Sequence, residues 1–119
     1  MDNQLAKIET TDKVTIVTFE GASICNPEQI RDVTLQIRDF VTQNSPVALI
    51  FDFSCVKFFS SQVLGLLLDI RSRMKAYSGQ VVISGINPQL HRVFTITNLD
   101  KIFKFFDDKQ SALNSLKTQ

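Results

Sequence analysis

The sequence predicts an α/β fold built on a mixed β-sheet, and three observations carry that prediction. Two β-branched segments near the N-terminus are separated by a turn-like Thr11-Asp12 pair. The apolar run Val47 to Phe53 reads as a strand buried on both faces. Helix-starting pairs (Asn26-Pro27, Ser60-Ser61, Asn87-Pro88) then alternate with further strand segments. The resulting order, β-β-α-β-α-β-α-β-α, implies an antiparallel hairpin followed by right-handed crossovers into a sheet that is otherwise parallel.

Each element has a local reason. Gln4 to Thr10 is a weak strand, and Lys13 to Glu20 is a stronger one, alternating and rich in Val, Ile, Thr and Phe. Asn26 is a helix N-cap with proline at the first helical position, and Ile30, Val33, Ile37, Phe40 and Val41 fall on one face of that helix. A second helix from Ser61 to Tyr77 buries Val63, Leu66, Leu67, Ile70, Met74 and Tyr77, and Ser78-Gly79 stops it. Gln80 to Ile86 is another buried strand. Asn87-Pro88 opens a short helix through Phe94, Phe103 to Phe106 is a short strand, and Ser111 to Lys117 closes with Ala112, Leu113 and Leu116 on an apolar face.

Composition narrows the function classes. Hydrophobic residues at 44% and charged residues at 21% are ordinary for a soluble globular protein, so disorder is excluded. A net charge of +1 supplies no field that would draw the chain to nucleic acid or an anionic membrane. The basic residues Arg71, Arg73 and Lys75 are the nearest approach to a patch, and on a helix they read as a solvated face. The apolar run Phe58 to Leu68 is shorter than the roughly 20 residues of a membrane span. Met1-Asp2-Asn3-Gln4 lacks the layout of a signal peptide. Cys25 and Cys55 make neither a disulfide framework nor a metal-ligand spacing, so no cofactor or metal is expected and the cytosol is the expected compartment.

The informative segment is Phe58-Phe59-Ser60-Ser61-Gln62-Val63-Leu64-Gly65, where a strand has just ended and a long helix begins. Backbone N–H groups at a helix start are unpaired and carry about half a positive charge. Ser60 is the expected N-cap, and a serine at this place can accept a phosphate without disrupting the fold. That chemistry suits a switch better than a catalyst. Adjacent Phe58 and Phe59 should point to opposite sides if the chain is extended there. No Gly-rich phosphate loop, paired carboxylate or nucleophile–base set is legible, so no enzyme is expected.

Taken together, three segments resemble the STAS domain family (sulphate transporter and anti-sigma-factor antagonist), and most of all its small standalone members. They are Phe51-Asp52-Phe53-Ser54-Cys55-Val56-Lys57-Phe58, the Ser-Ser…Leu-Gly-x-Leu-Leu helix start, and Ile83-Ser84-Gly85-Ile86-Asn87-Pro88 continuing through Phe94-Thr95-Ile96-Thr97-Asn98-Leu99. The resemblance implies a single STAS-like domain over residues 1–119, with a mixed four- to five-stranded sheet and helices packed mainly on one face. In phosphorylated antagonists the helix starts Asp-Ser-Ser-Gly-Leu-Gly. Laid on this chain, the aspartate is Ser60, the acceptor Ser61, the second serine Gln62 and the first glycine Val63, while Leu64 and Gly65 are kept. The family aspartate that follows the second strand has no counterpart in Gly21-Ala22-Ser23-Ile24-Cys25.

The resemblance also implies a partner and a mechanism. An unphosphorylated antagonist binds an anti-sigma factor that is a GHKL-type serine kinase, and phosphorylation releases it. A serine phosphatase resets the module, which is itself a monomer or weak dimer with no membrane insertion and no nucleic-acid partner. Ser61 is the expected acceptor, with Ser60 as the alternative, and Phe59, Ser60, Ser61, Gln62, Leu64 and Gly65 form the expected contact surface. Phe58 matches the family's core position, which would turn Phe59 outward beside the serines. Asp52 is expected as a buried carboxylate hydrogen-bonded to loop amides, His91 as a surface or helix-face residue, and Cys25 and Cys55 as small apolar fillers. The rival functions are an antagonist controlling a non-sigma pathway, a constitutive subunit of a lipid-transport ABC ATPase, and a small-ligand sensor whose pocket chemistry is not legible.

Overall fold

In the computed structural model, which describes residues 5–117, backbone pairing follows the apolar pattern. The described strands and helices run β1 (Ala6–Thr11), β2 (Val14–Phe19), β3 (Ser23–Ile24), α1 (Pro27–Asn44), β4 (Ala48–Asp52), β5 (Phe58–Phe59), α2 (Ser61–Lys75), β6 (Gln80–Ser84), α3 (Pro88–Ile96), β7 (Lys104–Phe106) and α4 (Lys109–Lys117). A 3-10 turn at Leu99–Lys101 precedes β7. The main sheet is ordered β1-β2-β4-β6-β7, with β1 antiparallel to β2 and every other pair parallel. The expected mixed sheet is therefore five-stranded, and β4, buried at all five positions, is its centre.

Alternation divides the sheet into two cores. Val17, Phe19, Leu49, Phe51 and Ile83 face α1, α2 and α3, whereas Val14, Ile16, Ala48, Ile50 and Val82 face Ala112 and Leu113 of α4. Three helices thus cover one face and one covers the other, as expected. Ile30, Val33, Ile37 and Val41 of α1 are buried, as are Val63, Leu66, Leu67, Ile70 and Met74 of α2.

The ends of elements depart from the sequence reading for identifiable reasons. The first hairpin turns at Asp12 (φ 50°) and Lys13 (φ 69°), one residue later than expected, because a two-residue loop matching strand twist needs two left-handed residues in a row. Gln4, assigned to the first strand, lies outside the described residues. Helix α2 ends at Lys75, and Tyr77, expected on its buried stripe, is 39% exposed with its hydroxyl donating to the Pro46 carbonyl at 3.0 Å. There Ser78, at φ 68°, turns the chain, and the Gly79 N–H closes onto the Met74 carbonyl at 2.7 Å. Helix α4 starts two residues before Ser111, because Asp108 caps it by accepting the Ser111 N–H at 2.8 Å. That hydrogen bond holds the Asp108 carboxyl below its ordinary range.

Three loops converge beyond the C-terminal ends of the parallel strands, and a close approach fixes two of them. Gly85 sits at φ 69°, and a Cβ there would lie 2.9 Å from the Ser54 Cβ and 3.0 Å from its Cα and N. Gly85→Ala combines left-handed strain with a clash against backbone, so it lowers stability by about 1–3 kcal/mol. Urea unfolding reads this directly, and an unchanged midpoint would contradict the close approach.

Candidate functional site

The site is built where β4 hands over to α2. The Asp52 carboxylate, 2% exposed, accepts hydrogen bonds from the Ser54 and Ser84 hydroxyls, each at 2.7 Å. This corrects the expectation of loop amides: the donors are two side-chain hydroxyls, one from the loop and one from β6. The Phe53 N–H adds a bond to the Ser84 carbonyl at 2.9 Å, so the loop entering α2 is held against β6. Asn87, the N-cap of α3, accepts the Leu90 N–H at 2.8 Å and donates from its side chain to the Val56 carbonyl at 3.3 Å.

A second clamp is the two-strand parallel pair β3–β5, which was not legible in the sequence. Ser23 aligns with Phe58 and Ile24 with Phe59. The Ala22 carbonyl accepts the Lys57 and Phe58 N–H groups, and the Ile24 carbonyl accepts the Ser60 N–H at 3.0 Å. The segment before α1 is thereby tied alongside the first residues of α2.

This pairing reverses the expected roles of the two phenylalanines. Phe59 is 5% exposed, 5.6 Å from the Phe53 ring and 6.1 Å from Phe94 in an edge-to-face contact. Phe58 is 56% exposed. Phe59 therefore anchors the core, and Phe58 is the ring left exposed just before the serines. A two-residue strand has no alternation long enough to reveal its parity, so only the partner strand decides it.

Ser60 is the N-cap by backbone geometry (φ −82°, ψ 164°), but its hydroxyl makes no capping bond and is a buried oxygen without a hydrogen-bond partner. Ser61 is the first helical residue and is exposed. The first turn of α2 contains no acidic residue and no side-chain cap, whereas Asn26 caps α1 by accepting the Glu28 and Gln29 N–H groups. The positive end of α2 is left uncompensated beside an exposed hydroxyl.

The remaining expected contacts separate by exposure. Gln62 and Gly65 are exposed, and Leu64 is half-buried against the core. A Cβ on Gly65 would meet nothing within 4 Å, so nothing in the fold demands glycine there. Gln62, Gly65, Leu66 and Asp69 form one wall of a groove of about 380 Å³ whose other wall is α1, including Arg31, Leu35 and Arg38. Asp69 lies 3.7 Å from Arg38 and 3.3 Å from Arg73, pinning the helices at the groove's far end. Leu35, 47% exposed, was missed, although its place off the Ile30–Val33–Ile37–Val41 stripe was a legible signal.

Cys25 and Cys55 are both exposed, correcting the expectation that they fill the core. The β3–β5 clamp carries each of them on a surface loop. His91 is half-buried, with its ring edge-to-face on Phe105 at 4.8 Å, in keeping with a helix-face residue. Among the described residues no cluster of ligands could hold a metal, and no helix is long and apolar enough to cross a membrane.

The opposite fates of the two phenylalanines are measurable. Phe59→Ala removes a buried ring and costs about 3–5 kcal/mol, whereas Phe58→Ala changes stability by about 0.5 kcal/mol or less. Paired denaturant melts check the order, and equal losses would contradict the β5 orientation.

Comparison with known proteins agrees with this architecture. A curated relative, an anti-sigma F factor antagonist of Paenibacillus polymyxa, is 22% identical over 85 residues, spanning 71% of this chain and 73% of its own. The anti-sigma factor antagonist SpoIIAA in its unphosphorylated form superposes with a TM-score of 0.83 at 16% identity, over 96% of this chain and 97% of its own. The Bacillus cell fate determinant SpoIIAA in its phosphorylated form superposes with a TM-score of 0.72 at 18% identity, over 92% of this chain and 98% of its own. At such identities these structures speak for the fold alone. The sequence model of the STAS domain covers residues 6–112. Matched along nearly its whole length, the chain belongs to the STAS domain family.

Proposed function

We propose that this chain is a single-domain anti-sigma-factor antagonist that switches partners through phosphorylation of Ser61. Unphosphorylated, it binds a GHKL-type serine kinase acting as the anti-sigma factor, through Ser60, Ser61, Gln62, Gly65 and the exposed edge of Leu64. Phe58 replaces Phe59 in this surface, since its ring is the one open to a partner. The module is a substrate of that kinase and of a serine phosphatase in the cytoplasm, and not itself an enzyme. The observation that carries the reading is the exposed Ser61 at the start of a helix with no side-chain cap and no acid in its first turn. The kinship with antagonists, one of them known in phosphorylated and unphosphorylated forms, supports it.

The physical consequence of phosphorylation differs between domain and complex. A phosphoryl group adds about −1.5 to −2 charges. Within the domain that charge meets the positive end of α2, so the fold tolerates it. Across an interface fitted to a neutral hydroxyl, the same charge must be desolvated without a partner, and the complex dissociates. The Gln62 and Val63 substitutions leave this argument intact, because Val63 is buried and Gln62 is exposed beside the serine.

The test is capture from lysate of the native host with wild-type and Ser61→Glu baits, eluates being identified by mass spectrometry. A GHKL-type kinase is expected on wild type and at least tenfold depleted on Ser61→Glu, whose melting temperature is unchanged or slightly higher. Equal capture by both baits would reduce Ser61 to a helix-start residue.

Gly65 supplies an independent prediction. Gly65→Gln extends into open space and raises helix propensity, so stability increases by about 0.5–1 kcal/mol. Capture of the kinase should fall at least tenfold in the same variant. Full retention would remove the α1–α2 groove from the interface.

A further inference from the structure

Helices α1 and α2 each return between neighbouring parallel strands, α1 from β2 to β4 and α2 from β4 to β6, so they lie side by side and run in the same direction. Near mid-length one ion pair joins them, with Arg38 of α1 standing 3.7 Å from Asp69 of α2. Seven residues make two turns of helix, about 10.5 Å, and return a side chain to nearly the same face. Seven residues before Arg38 and Asp69 stand Arg31 and Gln62, and both line the same groove. Arg31 therefore faces the first turn of α2 as Arg38 faces its middle.

The two levels differ in one respect, because the one nearer the helix starts lacks an acid. Asp69 meets Arg38, whereas the uncharged Gln62 stands opposite Arg31. Arg31 is exposed, and its guanidinium makes no ion pair among the described residues. Glu28 and Asp32, the acids nearest to it in sequence, line a separate concavity on the other flank of α1 with Leu5 and Gln36. The first turn of α2 holds no acid either. Ser61, next to Gln62, is exposed. Gly65, one turn further along the face of Ser61, has open space where a Cβ would stand, so the flank between the serine and the groove is unobstructed there.

We propose that Arg31 is the receptor for the phosphoryl group on Ser61, forming across the groove an ion pair that the unphosphorylated protein lacks. The inference rests on Ser61 as the phosphoacceptor and adds what holds the phosphorylated state. A phosphoserine carries about −1.5 to −2 charges and three acceptor oxygens, and a guanidinium fork meets two of them at once. Ser61 precedes Gln62 by a rise of about 1.5 Å, and Arg38 already spans the same gap between the helices. Arg38 itself is committed to Asp69, which leaves the part to Arg31. The new pair draws Arg31 over the mouth of a groove whose floor includes the buried Ile30 and Leu66. Phosphorylation then closes a partner's foothold as well as charging it, so release has a steric part beside the electrostatic one.

The test uses the chain with phosphoserine introduced at position 61 during synthesis, so no kinase is needed and the outcome is separate from that of the capture experiment. ³¹P NMR follows the second ionisation of the phosphate, ordinarily at about pH 6. A neighbouring guanidinium favours the dianion, so the midpoint in the otherwise wild-type chain is expected about 0.5–1 pH lower than in Arg31→Gln. Arg31→Lys, which keeps the charge and loses the fork, should fall between the two. The Arg31 Nε–H resonance should shift with the same midpoint as the phosphate. Lys57→Gln, which removes the cation in the segment before α2, should move the midpoint far less than Arg31→Gln does, and Lys75→Gln, at the far end of α2, should leave it in place. Equal midpoints in wild type and Arg31→Gln overturn the proposal. So does an Arg31 Nε–H signal that ignores the titration, or a Lys57→Gln effect as large as that of Arg31→Gln.

Discussion

The burial of Phe59 is the constraint on which the site depends. Its ring stands between Phe53 and Phe94, within a chain of aromatic contacts from Phe19 of β2 and Phe51 of β4 to Phe105 of β7 and the preceding Phe103. A ring in that position fixes the register of β5 against β3. That register puts the Ser60 N–H on the Ile24 carbonyl and forces the next residue into the first turn of a helix at the surface. Ser61 is thus presented by a rigid core and not by a mobile loop, which is what a surface recognised in two chemical states needs.

Beneath this anchor, polar groups are arranged to be satisfied locally. Asp52 is buried and is met by two hydroxyls, so the loop into α2 and the end of β6 share one acceptor. Losing either hydroxyl would leave carboxylate lone pairs unanswered in a poorly hydrated place, which makes the pair a specific tie. Gly85 beside Ser54 is the steric counterpart, since the loops approach too closely for a side chain.

Helix α2 joins these constraints to two surfaces of different character. At its start the helix offers unpaired amides, a serine and a groove against α1. At its end it carries the basic residues Arg73 and Lys75 in the last turn. The asymmetry follows from helix electrostatics, which favours anions at the first turn and cations in the last.

The sequence alone determined the four helices, the five strands of the main sheet and their order, because period-two and helical apolar spacing, Asn-Pro starts and a continuous apolar strand act over a few residues each. Asn26 and Asn87 cap as their local chemistry requires, and Ser61 begins α2 as the break in pattern demands. Tertiary structure decided whatever depended on a distant partner. Phe58 and Phe59 exchanged roles because a two-residue strand takes its facing from β3. Tyr77 left the buried stripe because α2 stopped short, and both cysteines are exposed on either side of the β3–β5 pairing. Lys104 pairs with Val82 because β7 lies beside β6, and such pairing is a long-range choice that no local window of sequence contains.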